Sequence, residues 1–194
     1  MPEGMRPQDQ AGAAPRREGS DIINLPNIIT FLRLCAVPVA VWLVLHAQFL
    51  AGFWIFAAAG VSDAVDGWLA RRRGPTALGG LMDPVADKAL LVCMYVTLAA
   101  AGVLPDWLAI LVVFRDLVIV GGAVTLRLIG NRMSLRPLRI SKLNTALQIV
   151  LVAASLLTSG LGLAVPVLIG ALVWAVAAST LASGAAYVWK AARG

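Results

Sequence analysis

The chain has 194 residues, 60% of them hydrophobic and 13% charged, with a mean hydropathy of +0.85. Soluble domains sit near 45–50% apolar and about 25% charged, so composition excludes an ordinary soluble enzyme and points to an all-α integral membrane protein. The formal charge of +6 suits contact with anionic lipid. No stretch is left over for a soluble nucleic-acid reader, so a nucleic-acid partner is excluded.

In chain order, residues 1–20 (MPEGMRPQDQAGAAPRREGS) are polar and rich in Pro, Gly and Arg, which predicts a disordered tail. They contain no apolar core of a signal peptide. Their acids argue against a mitochondrial transit sequence and favour a bacterial cytoplasmic (inner) membrane. Residues 21–194 read as a single membrane domain. Apolar runs fall at about 28–47, 50–70, 80–101, 105–127, 140–159 and 163–189. Each is long enough for a spanning helix of about 20 residues, and lipid leaves unpaired backbone no partner except within a helix. Six transmembrane helices are therefore expected.

The basic residues set the orientation. Arg6, Arg16 and Arg17 precede the first run, and Arg71, Arg72 and Arg73 lie between the second and third. Arg127, Arg132, Arg136, Arg139 and Lys142 surround the fourth-to-fifth connection, and Lys190 and Arg193 follow the sixth run. The other three connections hold no Lys or Arg. By the positive-inside rule both termini are cytoplasmic. Cys35 and Cys93 sit inside apolar runs without ligand-spaced partners and read as small core residues. His46, at the end of the first run, reads as an interfacial residue.

The segment SDAVDGWLARRRGPTALGGLMDPVADK, Ser62 to Lys88, concentrates Asp63, Asp66, Asp83 and Asp87 in a chain with ten acidic residues in all. On helices, spacings of three and four put each pair on one face. Four carboxylates facing one another beside a bilayer repel unless a cation sits among them. Hard divalent cations want oxygen ligands, so Mg²⁺ or Mn²⁺ is the natural filler. Gly60, Ala64, Gly67 and Ala70 give the second run a small-residue face, which allows close approach of a helix or a flat ligand. Arg71 keeps its charge beside the acids and suits a phosphate or diphosphate.

Asp63-x-x-Asp66-Gly67-x-x-Ala70-Arg71, followed by Gly79-x-x-x-Asp83-x-x-x-Asp87, resembles the signature of the CDP-alcohol phosphatidyltransferases. Seven residues separate Arg71 from Gly79, fewer than is usual in that family, and the difference reads as a one-residue loop deletion. The resemblance implies a six-helix homodimer with a site open to the cytoplasmic leaflet and two divalent ions. It implies that an alcohol attacks the β-phosphorus of a CDP-linked lipid and that CMP leaves. Asp63, Asp66 and Asp83 would be metal ligands, and Asp87 the general base and a further contact to metal. Gly67, Ala70 and Gly79 would leave room for the CDP-lipid's nucleotide, Arg71 would hold its diphosphate, and Asp63 and Asp83 would border it. Such chemistry needs mainly positioning and charge neutralisation, and paired metals clamp attacking and leaving oxygens.

LPNIITFLR, Leu25 to Arg33, resembles the family's entry to its first span, and Asn27 reads as a helix cap. Arg115 and Asp116 interrupt the fourth run. They read either as lining of the site or as structural ions, each needing its own partner because adjacent residues do not face each other. Arg139, Ser141, Lys142 and Asn144 open the fifth run, as a cationic entrance or as ordinary anchoring. Arg115, Arg139 and Lys142 are thus the candidate acceptor-binding residues. RDLVIVGGAVTLRL and ISKLNTALQIVLVAASL look similar to the corresponding parts of the mitochondrial-type, CMP-forming cardiolipin synthases within that family. The acceptor expected is therefore phosphatidylglycerol, with CDP-diacylglycerol as donor; glycerol 3-phosphate, as in phosphatidylglycerophosphate synthesis, is the alternative. A cation transporter or channel would hold its acids near midplane on broken helices, whereas these flank a triple-arginine loop. A scaffold would not need the carboxylates.

Overall fold

The computed structural model describes residues 25–73, 79–128 and 139–192, and every described element is a helix. They are α1 (Leu25–Leu45), α2 (Phe49–Arg73), α3 (Gly79–Ala100), α4 (Asp106–Leu128), α5 (Arg139–Gly160) and α6 (Pro166–Ala192). Each coincides with one expected apolar run to within a few residues. The tail expected over residues 1–20 lies outside the described residues.

Helix ends follow local chemistry. Pro166 opens α6, where its missing N–H costs nothing. Asp106 stands in the first turn of α4, complementing the helix dipole. The three connections that lack Lys and Arg close in one way. Gln48 N–H donates to Leu43 O at 2.8 Å, Val103 N–H to Leu98 O at 2.9 Å, and Leu163 N–H to Thr158 O at 2.8 Å. Each bond spans a residue in the left-handed region: Ala47, Gly102 and Gly162, with φ of 57°, 71° and 65°. This is the Schellman closure, for which glycine is the unstrained residue.

The helices form a ring in the order α1, α2, α5, α6, α4, α3, and α3 also touches α5 across it. Buried apolar residues recur at three- and four-residue steps: Leu91, Met94, Tyr95 and Leu98 on α3, Leu108 and Val112 on α4, and Leu151, Val152 and Leu156 on α5. Gly160 allows the closest approach. A β-carbon there would lie 2.7 Å from the backbone nitrogen of Leu50, so the last turn of α5 and the first turn of α2 touch main chain to main chain.

Polarity is distributed unlike that of a water-soluble bundle. Trp54, Ile110, Phe114, Leu117 and Trp174 are exposed, while Arg33, Arg115, Asp116, Asn144, Gln148 and Ser183 are buried. Among the described residues, two helical stretches, Ile140–Gly160 and Pro166–Tyr187, are long and apolar enough to cross a membrane. Leu32–Leu45, Phe49–Ser62 and Lys88–Ala100 are shorter apolar stretches among the described residues.

Cys35 corrects an expectation: it is exposed rather than core, whereas Cys93 is half-buried. A greasy outer surface gives a small apolar side chain no reason to turn inward. His46 is exposed, stacks on Trp42 at 4.3 Å between ring centroids, and sits 2.8 Å from the Trp42 carbonyl through Nδ1.

Candidate active site

Asp63, Asp66, Gly67, Ala70 and Arg71 fall in the last turns of α2, and Gly79, Asp83 and Asp87 in the first turns of α3. Only residues 74–78 join the two helices, so the helix ends stand no more than about 22 Å apart. The side chains of residues 63–73 and 79–87 lie outside the described residues, as does that of Arg139. Among the described side chains no cluster of three His, Cys, Asp or Glu forms.

Two features border this segment. The first is a cavity of about 620 Å³ between α1 and α2, running to Ser62, the residue before Asp63. Leu32, Cys35, Val39 and Ile55 line it, and Arg33 is the charged residue in its wall. Arg33 is 3% exposed. Arg33 interrupts the first apolar run near its start, and packing turns it inward.

The second feature begins at Lys88, immediately after Asp87. Lys88 Nζ donates to Asp116 Oδ2 at 2.7 Å. Arg115 Nη1 donates to Asp116 Oδ1 at 2.8 Å. Arg115 Nη2 donates to Ser141 Oγ at 2.8 Å on α5 and also to Ser183 Oγ on α6. Arg115 and Asp116 are both buried, at 5% and 7% exposure. The expectation that these neighbours would not pair is thereby corrected. Their Cβ atoms diverge around the helix, but the three methylenes of arginine let the guanidinium curl back to the adjacent carboxylate. Each also has the separate partner that was expected.

The polar seam continues along α5. Asn144 Oδ1 accepts from Ser179 Oγ at 2.7 Å and from Thr180 Oγ1 at 2.9 Å, joining α5 to α6. One turn further, Tyr95 on α3 donates its hydroxyl to the Gln148 carbonyl at 3.3 Å. Lys142, in the first turn of α5, is exposed. Of the three acceptor-binding candidates, Arg115 faces inward into the network and Lys142 outward.

The sequence matches the family model for CDP-alcohol phosphatidyltransferase over residues 23–182. It is 34% identical to the chloroplastic CDP-diacylglycerol–glycerol-3-phosphate 3-phosphatidyltransferase 1 of Oryza sativa subsp. japonica, over 92% of this chain and 64% of that protein. It is 33% identical to a CMP-forming cardiolipin synthase of Homo sapiens, over 69% of this chain and 50% of that protein. It is 35% identical to a probable phosphatidylglycerophosphate synthase of Mycobacterium tuberculosis (strain H37Rv), over 89% of this chain and 83% of that protein. The chain therefore spans between half and two thirds of the rice and human relatives, and most of the mycobacterial one. With an acid motif divided between the adjoining ends of α2 and α3 and a family match over most of its length, this chain belongs to the CDP-alcohol phosphatidyltransferase family.

Proposed function

We propose that the protein transfers a phosphatidyl group from CDP-diacylglycerol to an alcohol and releases CMP. The observation that carries this is the acid motif, split between the last turns of α2 and the first turns of α3 with five residues between. The oxygen-only donor set of Asp63, Asp66, Asp83 and Asp87 fits Mg²⁺ or Mn²⁺ better than a soft metal. Bound there, two such ions would neutralise the diphosphate and the charge that develops during transfer.

The chain's own residues supply the rest. Arg71 holds the diphosphate, and Gly67, Ala70 and Gly79 leave space for the nucleotide. Asp87 takes the proton of the acceptor hydroxyl as its oxygen attacks the β-phosphorus; the bond from that phosphorus to the CMP oxygen breaks, and CMP leaves. The apolar cavity beside Ser62 suits the donor's hydrocarbon chains. Arg139 and the exposed Lys142 receive an anionic acceptor at the mouth of α5, with Arg115 bracing that mouth from below through Ser141.

The exposed tryptophans and aliphatic residues, around an interior that also buries Arg33, Arg115, Asp116, Asn144 and Gln148, support six membrane spans. The alternation of basic connections supports cytoplasmic termini and a site on the cytoplasmic side. We place the protein, as a homodimer, in a bacterial cytoplasmic membrane.

Phosphatidylglycerol is the proposed acceptor, on the similarity of the fourth and fifth helices to cardiolipin synthases. Glycerol 3-phosphate is the second candidate, favoured by the rice and mycobacterial relatives, which match more of this chain than the human one does. The test supplies purified protein with CDP-diacylglycerol, Mn²⁺ and either acceptor, and follows CMP and lipid product. Cardiolipin made only with phosphatidylglycerol is the expected result. Product only with glycerol 3-phosphate keeps the mechanism and reassigns the acceptor; no CMP with either overturns the transferase.

A further inference from the structure

Lys88, Arg115 and Asp116 form a unit that the transfer step does not itself use. One buried carboxylate receives a cation from α3 on Oδ2, at 2.7 Å, and one from α4 on Oδ1, at 2.8 Å. Through Arg115 the same group reaches Ser141 on α5 and Ser183 on α6. Four helices therefore converge on the Arg115–Asp116 pair. A buried carboxylate that loses a cation is costly, so α3 is not free to turn or slide at Lys88 without breaking the set. Lys88 directly follows Asp87 and lies five residues after Asp83. A rotation of about 20° moves a group at a helix's outer radius of ~5–6 Å by about 2 Å. Misplacement by ~1 Å can cost about 100-fold in rate.

We propose that Asp116 is a positioning residue: by holding Lys88 it fixes the rotation of the inner end of α3, and with it Asp83 and Asp87, against α4–α6. This rests on the proposed metal-dependent transfer at that end of α3. A role through charge alone predicts a different sign. Lys88 is a cation beside an acidic segment, so neutralising it by charge alone tightens divalent-cation binding. If Lys88 positions the acids, neutralising it loosens that binding.

The test uses the purified full chain, its Lys88→Met and Asp116→Asn variants and the double variant. Mn²⁺ binding is measured by calorimetry, and kcat and KM by CMP release. Lys88→Met is expected to weaken Mn²⁺ binding about 10-fold and lower kcat by about 10- to 100-fold. KM for CDP-diacylglycerol is expected to stay within about threefold. The double variant is expected to be no worse than the worse single one, because both break the same contact. Unchanged or tightened Mn²⁺ binding in Lys88→Met overturns the proposal, as does additivity in the double variant. If Asp116→Asn fails to fold, Lys88→Met decides alone, since it leaves the Arg115–Asp116 pair in place. A wild type that binds Mn²⁺ but releases no CMP overturns the transferase while the Mn²⁺ comparison still judges the positioning role. A wild type that binds no Mn²⁺ overturns both.

Discussion

The molecule handles charge in two opposite ways. The segment from Ser62 to Lys88 gathers four aspartates within 25 residues, Asp63 to Asp87, and in the function proposed above two divalent ions balance them. The seam through α3, α4, α5 and α6 brings Lys88, Arg115 and Asp116 together and pairs them with one another, one carboxylate between two cations, with two serine hydroxyls accepting from Arg115 Nη2. Buried ions normally pair or mark a functional path. Here the paired set is the frame, and the acid segment is the place where chemistry is proposed. A site that must release its product is better held by a rigid neighbour than made rigid itself.

That contrast is open to direct attack. The largest effect is expected at the acid segment. Asp87→Asn should cut CMP release by roughly 100- to 10,000-fold, the usual worth of a general base, while the protein still inserts into membranes. Near-normal transfer would remove Asp87 from that role.

In the seam the expected loss is in stability. Asp116→Ala leaves the buried Arg115 without its counter-ion and should lower unfolding free energy by about 3–5 kcal/mol, read by denaturant unfolding in detergent. A change below about 1 kcal/mol would mean that the two serines suffice and that the seam is not the frame.

Packing offers a milder version of the same test. Gly160→Ala sets a methyl 2.7–2.9 Å from the backbone and Cβ of Leu50 and should cost about 1–3 kcal/mol through overpacking. Gly60→Ala, with nothing within 4 Å, should cost nothing in the same unfolding measurement. The smallest effect has the opposite sign. In metal-free protein, Asp66→Asn should raise stability by about 0.5 kcal/mol by relieving like-charge repulsion with Asp63. A loss there would show that the acid segment, too, is internally balanced.

Much of this was legible in the sequence, and the reason is locality. Helix positions follow from uninterrupted apolar runs, and the acid motif from spacings of three and four within one stretch of chain. The Schellman turns announce themselves at Gly102 and Gly162; Ala47 adopts the same left-handed geometry without the usual residue. The seam was not legible. Its contacts join residues 28, 26 and 68 positions apart, and no local pattern says that Ser183 on α6 faces an arginine on α4. Arg33 and Cys35 fail for a related reason. In a chain whose surface is as apolar as its core, hydrophobicity no longer says which side of a helix faces inward.

The most direct measurement is CMP release from CDP-diacylglycerol by purified protein stripped with EDTA and then titrated with Mg²⁺ or Mn²⁺. No release in EDTA, restored by either ion, is the predicted result: the acid segment then works only when its charge is balanced from outside. Release undiminished in EDTA, or absent at every ion concentration, would contradict it.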